Sequence, residues 1–164
     1  MDNRKDILCR IEEIRSNNLL EVFVANLTAK LIHIPGVNII GRVKNLESAI
    51  KKMDTKGYAD SELLTDLVGV MIVTKTIEDV YEVVDIIKSS IHLMGERDYI
   101  AFPKNGYASY HVDVEENDIK IEIQIKTYEM KRAQDLIHKN IYKNPNISEN
   151  IKPCLLYTSP SPRD

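Results

Sequence analysis

Apolar residues recur at helical spacing in the first part of the chain. Between Arg4 and Ile32 they fall every three or four positions, with a change of phase at Ser16-Asn17-Asn18. This spacing predicts one interrupted helix or two consecutive helices, ended by Pro35-Gly36. Val37 to Val43 then has the pattern of a short β-strand.

The middle of the chain combines helix caps with a buried strand. Asn45 can cap a helix that has one apolar and one polar face. Leu67 to Val73 is an almost continuous apolar run led by Asp66, which is typical of a central strand buried on both faces. Thr76 can cap the next helix, which is long enough to form a crossover connection between strands. These segments predict an α/β domain.

Strand alternation dominates the later part of the chain. Residues 110–114 and 119–125 each alternate apolar and polar side chains, with Glu115-Glu116-Asn117-Asp118 as their hairpin turn. Each predicted strand therefore has one apolar face and one polar face, as an ordinary solvated sheet also has. Glu129 to Tyr142 is predicted to be an amphipathic helix, broken by Asn144-Pro145-Asn146.

Composition narrows the class of protein. The 164 residues, 43% hydrophobic and 29% charged, suit one domain with a substantial core. A net charge of -3 argues against a protein that coats nucleic acid by general phosphate attraction. No apolar run approaches the roughly 20 residues of a membrane span. The charged N-terminus does not resemble a signal peptide, so we expect a cytoplasmic protein without membrane contact. Cys9 and Cys154 are too isolated for a disulfide framework or a zinc site.

The last eleven positions, 154–164, differ abruptly from the rest of the chain. They are rich in Ser and Pro and have no periodicity, so we expect them to be disordered. They also resemble the translation of a sequencing-adapter read, which implies that the native C-terminus is lost after about Pro153. We therefore predict a functional domain at 1–153, with an incomplete C-terminal part, and a non-native tail at 154–164.

A cluster of cations lies at the end of the first predicted strand and the start of the following helix. Arg42 and Lys44 end the strand, while Ser48 and Lys52 share the polar face of the helix four residues apart. Arg offers a planar fork and Lys a mobile point charge, so together they could hold a triphosphate. A solvated basic helix face would show the same residues.

Two carboxylates lie at or within predicted central strands. Asp66 precedes one strand and Glu122 lies within another. Such a pair can hold Mg²⁺ while leaving positions open for nucleotide phosphates, because Mg²⁺ prefers oxygen ligands and retains several waters. Taken singly, Asp66 also fits a capping role and Glu122 a cross-strand ion pair.

A loop rich in Pro, Asn and Gly precedes the strand at 110–114. In this run, from Arg97 to His111, the side chains of Lys104, Tyr107 and His111 can converge on a nucleotide. Tyr107 could stack on a base, while the two basic residues could meet phosphates. A Tyr after Asn-Gly also occurs in ordinary turn packing.

Together these segments resemble the synthetase domain of the RelA/SpoT family in order and approximate spacing. The resemblance covers roughly Val37 to Pro153, and Met130, His138 and Tyr142-Lys143 extend it in the manner of small, single-domain alarmone synthetases. The matching positions are Arg42, Lys44, Ser48, Lys52, Asp66-Leu67, Asp98-Tyr99-Ile100, Pro103-Lys104, Asn105-Gly106-Tyr107, Ser109, His111 and Glu122-Ile123-Gln124-Ile125-Lys126-Thr127.

The resemblance implies a fold, a reaction and a set of roles. The fold would be a mixed β-sheet flanked by helices, nucleotidyltransferase-like, and the reaction would transfer pyrophosphate from ATP to the 3′-hydroxyl of GDP or GTP. Asp66 and Glu122 would hold Mg²⁺ and act in catalysis. The ATP site would contain Arg42, Lys44, Ser48 and Lys52, and the GDP or GTP site Lys104, Asn105, Tyr107, His111 and Gln124. Small synthetases of this kind also assemble as homotetramers through terminal helices, whereas RNA as a partner stays open.

Departures from the family pattern keep other functions in view. Met71 and Lys126 stand where the family usually has Arg, Ile137 stands where small synthetases commonly have Glu, and the loop before Asn105 is one residue shorter. One alternative is a toxin-like relative that acts on adenine nucleotides or tRNA 3′-ends, and activity that depends on deacylated tRNA would favour it. Another is a catalytically weakened module that binds nucleotide or RNA, which would bind without releasing AMP. The chain lacks the His-Asp motif of the family's hydrolase domain, so we expect no alarmone hydrolysis.

Overall fold

A five-stranded mixed β-sheet organises residues 2–139, the part of the chain that the computed structural model describes. Strand order is β1-β2-β5-β4-β3, with β2 and β5 parallel and the other neighbouring pairs antiparallel. The predicted mixed sheet flanked by helices is therefore confirmed. The elements are α1 (Asn3–Ser16), α2 (Leu19–Leu31), β1 (Asn38–Val43), α3 (Leu46–Lys56), a 3₁₀ turn (Ser61–Leu63), β2 (Val68–Thr74), α4 (Ile77–Ser90), β3 (His92–Asp98), β4 (Tyr110–Glu116), β5 (Ile119–Thr127) and α5 (Tyr128–Ile137).

Helix boundaries follow the predicted caps. The Asn45 side chain accepts a hydrogen bond from the Ser48 N–H at 2.8 Å, and Thr76 caps α4 by accepting from the Asp79 N–H at 3.1 Å. The phase change between α1 and α2 produces two helices, because Asn18 takes a left-handed conformation with φ of 53°. No helix within residues 2–139 is long and apolar enough to cross a bilayer.

The core lies between one face of the sheet and helices α1, α2 and α4. Ile72 of β2, Ile123 of β5 and Val112 of β4 are fully buried in it, as predicted for central strands. Helix α2 crosses β1 so closely that a Cβ at Gly41 would lie 2.7 Å from Leu20 Cδ1, so a larger residue there would force the Leu20 side chain to move. The opposite face of the sheet carries polar side chains and is left for the site.

Two local features differ from the sequence expectations. Strand β3 was not predicted as a separate element, because it is an edge strand whose register shifts between Leu93 and Gly95, and this bulge breaks the alternation of period two. The hairpin turn is also tighter than predicted. Asn117 and Asp118 form it alone, with φ of 52° and 62°, as in turns that match strand twist. The predicted helix end at Tyr142, its break at 144–146 and the tail at 154–164 lie outside the described residues.

Candidate active site

Register across the sheet brings the predicted polar residues into one row. Gly69 of β2 lies between Arg42 of β1 and Glu122 of β5, and Glu122 in turn pairs with Asp113 of β4. Because paired residues point to the same face of a sheet, Arg42, Glu122 and Asp113 share the polar face. The row therefore joins the predicted ATP side to the predicted acceptor side.

Asp66 is the centre of a buried ion cluster directly before β2. Its Oδ2 atom lies 2.6 Å from Lys52 Nζ and 3.1 Å from Lys44 Nζ, and the side chains of Asp66 and Lys44 are 5% and 3% exposed. Burial alone would raise the pKa of the Asp66 carboxyl, but Lys52 and Lys44 together hold it below its ordinary value. Burial lowers the pKa of Lys44 in spite of its Asp66 partner.

The two carboxylate oxygens of Asp66 differ in their hydrogen bonding. Within residues 2–139, Asp66 Oδ1 is buried and accepts no hydrogen bond, which is unusual because buried polar atoms are nearly always paired. No group of three or more His, Cys, Asp or Glu side chains in this part of the chain could close around a metal. Asp66 and Glu122 are two carboxylates that could bind Mg²⁺, which prefers oxygen ligands.

A cleft of about 230 Å³ contains both carboxylates and the predicted cation of β1. Gly69 forms part of its wall, and a Cβ there would lie 3.7 Å from Arg42 Nε, so glycine leaves room between Arg42 and Glu122. Ser48 is half-buried in the first turn of α3, four residues before Lys52. The cleft is lined by Ile40, Gly41, Arg42, Asp66, Gly69, Val70, Met71, Glu122 and Gln124.

The acceptor-side residues on β4 and β5 form a connected network. Gln124 Nε2 donates to Glu122 Oε1 at 3.1 Å, and Tyr107 Oη lies 2.7 Å from His111 Nε2 and 3.4 Å from Gln124 Oε1. Burial, together with the charges of Arg97 and Lys126, lowers the pKa of His111 to about 3. The neutral imidazole can therefore accept a hydrogen bond from the Tyr107 hydroxyl.

Tyr107, the predicted stacking residue, is buried, whereas Lys104 and Asn105 in the same loop are exposed. Tyr107 is only 6% exposed, and its ring packs edge-on against Tyr99 and His111 with centroids 5.8 and 5.7 Å away. Lys104 and Asn105 lie at the exposed surface of the loop, where Asn105 has φ of 51°. The structure thus joins Tyr107, His111 and Gln124, while Lys104 and Asn105 stay at the rim.

Glu122 lies between the two halves of the site and has a perturbed carboxyl. Burial raises its pKa; the hydrogen bond from Gln124 opposes this, and the charges of Asp66 and Asp113 add to the rise. Its Oε1 is 3.9 Å from His111 Nδ1. A carboxylate with a raised pKa beside a nucleotide site can accept a proton during catalysis.

Sequence reasoning assigned no role to Asp113 or Gln134. Asp113 Oδ2 lies 3.3 Å from Arg97 Nη2, and burial raises the pKa of its carboxyl. Its position opposite Glu122 follows from the alternation of β4, which was the available signal. Gln134 of α5 accepts a hydrogen bond from the fully buried Lys126, whose Nζ lies 5.2 Å from the centre of the Tyr107 ring.

The positions that depart from the family pattern surround this network. Met71 is buried, pairs in register with Gln124 and contributes to the wall of the cleft. Ile137 lies beside the loop before β4, since a Cβ at Gly106 of that loop would be 3.8 Å from Ile137 Cδ1. These apolar residues therefore shape the site by packing.

Comparison with known proteins identifies the class to which this fold and site belong. The family described as "Region found in RelA / SpoT proteins" matches residues 41–147. The chain therefore belongs to the RelA/SpoT family.

Individual relatives make the likeness more specific. The GTP pyrophosphokinase YwaC of Bacillus subtilis is 35% identical over 130 residues, which cover 70% of this chain and 62% of YwaC, so the chain spans less than two thirds of that relative. Small alarmone synthetase 1 of the same species, solved with its product pppGpp, superposes on this chain with a TM-score of 0.72 at 25% sequence identity. The match covers 94% of this chain and 88% of the synthetase chain. Small alarmone synthetase 2 of Bacillus subtilis superposes with a TM-score of 0.68 at 30% sequence identity, and the match covers 94% of this chain and 89% of that synthetase.

Proposed function

We propose that this protein transfers pyrophosphate from ATP to the 3′-hydroxyl of GDP or GTP and releases AMP, forming ppGpp or pppGpp. The carrying observation is the cleft that Arg42, Asp66 and Glu122 line together, beside the network of Gln124 and His111. Family membership and the pppGpp-bound relative support the same reaction. ATP lies on the β1 side and the acceptor on the β4 side.

The ATP site uses three cations: Arg42 of β1, Lys44 directly after β1 and Lys52 of α3. Asp66, which lines the cleft, forms ion pairs with Lys44 and Lys52 through its Oδ2 atom, and Arg42 also lines the cleft. Ammonium and guanidinium groups at these positions bind the triphosphate through charge-assisted hydrogen bonds. Ser48, at the start of α3, adds a hydroxyl on the same face.

Asp66 and Glu122 are the residues that hold Mg²⁺. They fit it because both provide oxygen ligands, and because Asp66 Oδ1 has no hydrogen-bond donor within residues 2–139. When bound, Mg²⁺ neutralises phosphate charge. The rest of the catalytic effect comes from alignment of the two nucleotides by the fixed side chains of the cleft.

The acceptor nucleotide binds at the network of Tyr107, His111 and Gln124. Gln124 presents an amide that can read a base edge, and Tyr107 presents an aromatic ring that can stack on the base, in the same loop as Lys104 and Asn105. The acceptor 3′-oxygen attacks the β-phosphorus of ATP, and the bond from that phosphorus to the α,β-bridging oxygen breaks. AMP leaves with that oxygen, and Glu122 takes the proton of the attacking hydroxyl.

Further properties follow from the same assignment. We propose a cytoplasmic enzyme that assembles as a homotetramer and whose synthetase domain occupies residues 1–153. Positions 154–164 contribute nothing to it.

The test is steady-state turnover of purified protein with ATP and either GDP or GTP, with Mg²⁺ and with EDTA. Separation of the nucleotides should show AMP and ppGpp or pppGpp in equal amounts, and only with Mg²⁺. Glu122→Gln is the matched variant, since it preserves size and the acceptor for Gln124 but removes the carboxylate. If folded wild-type protein binds both nucleotides and yields neither product, or if Glu122→Gln retains full turnover, the assignment is wrong.

A further inference from the structure

Asp98 ends β3 and fixes the start of the acceptor loop, residues 99–109. Its Oδ1 atom accepts hydrogen bonds from the N–H groups of Ile100 and Ala101, both at 2.9 Å. The Tyr99 N–H donates to the Ser109 carbonyl at 2.9 Å and closes the base of the loop. The Asp98 carboxylate therefore holds the first turn of the segment that carries Lys104, Asn105 and Tyr107.

The other oxygen of Asp98 is held from a helix on the core side of the sheet. Tyr81 of α4 donates its hydroxyl to Asp98 Oδ2 at 2.9 Å. Its ring packs edge-on against Tyr110 of β4, with centroids 5.9 Å apart and an interplanar angle of 85°. Because the Tyr81 ring is fixed by packing, its hydroxyl can orient the Asp98 carboxylate toward the two loop amides.

We propose that Tyr81 is a positioning residue for the acceptor nucleotide, acting through Asp98 on the acceptor loop. This inference rests on the proposed function, since it assigns the loop to the GDP or GTP side of the reaction. Tyr81 lies on the helix-covered side of the sheet, so its effect passes through the Asp98 carboxylate. ATP binding, on β1 and α3, involves other elements.

The fold contains a matched control for this inference. Tyr110 also donates its hydroxyl to a carboxylate of β3, Glu96, at 2.6 Å. Glu96 lies two residues before Asp98 within the strand, and its other partner is Lys88 of α4 at 3.0 Å. Tyr110→Phe and Tyr81→Phe therefore each remove one hydroxyl from the same edge-on ring pair, but only the second reaches the loop cap.

The experiment measures KM for GTP, KM for ATP and kcat in wild-type protein and both variants. Loss of one hydrogen bond that orders the loop should raise KM for GTP about five-fold in Tyr81→Phe, with kcat and KM for ATP nearly unchanged. Tyr110→Phe should leave KM for GTP at the wild-type value. In an Asp98→Ala background, Tyr81→Phe should have no added effect, because the two residues act as one unit.

Amide hydrogen exchange gives a readout that does not depend on turnover. The amides of Ile100 and Ala101 should exchange faster in Tyr81→Phe than in Tyr110→Phe. Equal KM values for GTP in the two variants, or a parallel rise of KM for ATP, would overturn the positioning role. Failure of wild-type protein to form product would instead overturn the proposed function, and the positioning role would fall with it.

Discussion

The two carboxylates assigned to Mg²⁺ should contribute differently to the free energy of unfolding. Replacement by an isosteric amide should destabilise the protein at Asp66 but not at Glu122. Asp66 is already paired with two cations, and Lys44 among them is buried. Glu122 instead lies between Asp66 and Asp113, and burial raises the pKa of its carboxyl. Asp66→Asn and Glu122→Gln should therefore both stop synthesis but should shift the free energy of unfolding differently.

The expected magnitudes follow from burial. Removing the charge of Asp66 breaks its buried ion pair with Lys44, whose side chain is 3% exposed. Breaking a buried pair on one side costs about 3 kcal/mol or more, which corresponds to a fall in Tm of roughly 10 °C for a domain of this size. Glu122→Gln removes an ionised group that burial disfavours and retains the oxygen that accepts from Gln124, so stability should be unchanged or higher.

Urea denaturation at pH 7.5 without nucleotide or divalent metal measures this contrast directly. Lys52→Met is a useful companion, because its side chain is 21% exposed and its loss leaves Asp66 paired with Lys44. We expect Lys52→Met to lower the free energy of unfolding less than Asp66→Asn does. Equal destabilisation by Asp66→Asn and Glu122→Gln would refute the electrostatic account of the cleft.

Three further predictions concern acid stability, the cleft wall and a family substitution. The pKa of His111 is about 3 in the folded protein and near 6.5 when unfolded. The neutral imidazole therefore contributes fully to the free energy of unfolding above pH 6.5, and this contribution is lost as the pH falls toward 3. The wild type should thus lose about 2 kcal/mol at pH 5 that His111→Gln does not lose, as measured by urea denaturation at pH 5 and 7.5. Gly69→Ala should keep Tm unchanged, because the added Cβ lies 3.7 Å from Arg42 Nε, but should raise KM for ATP; an unchanged KM would contradict the cleft assignment. Lys126→Arg introduces the residue common in the family into a fully buried position and should lower stability by about 1–3 kcal/mol; an unchanged Tm would show that this region repacks freely.

Local sequence signals predicted much of the fold. Asn45 and Thr76 begin their helices as expected, and the apolar run after Asp66 forms the buried strand β2, because caps and hydrophobic periodicity act over a few residues. The edge strand β3 was missed because its bulge disturbs the alternation. The parallel pairing of β2 with β5 was not predicted, since a parallel pair joins segments far apart in sequence.

The candidate site was predictable by residue type but not by contact. Motif spacing indicated Asp66, Lys44 and Lys52 as separate ATP and metal residues, yet the structure joins all three in one ion cluster. Tyr107 was expected as a stacking platform, and its burial against His111 depends on how β4 lies beside the loop. Such contacts arise from strand register, which a motif does not encode.

The most direct test of pyrophosphate transfer follows the phosphorus atoms of ATP. Wild-type protein is incubated with Mg²⁺, GDP and ATP labelled in separate reactions at the α-, β- or γ-phosphate, and the products are separated. The account predicts β- and γ-label in the guanine product and α-label only in AMP, with no transfer by Glu122→Gln. Transfer of γ-label without β-label, or β- and γ-label in an adenine product but not in a guanine product, would contradict it.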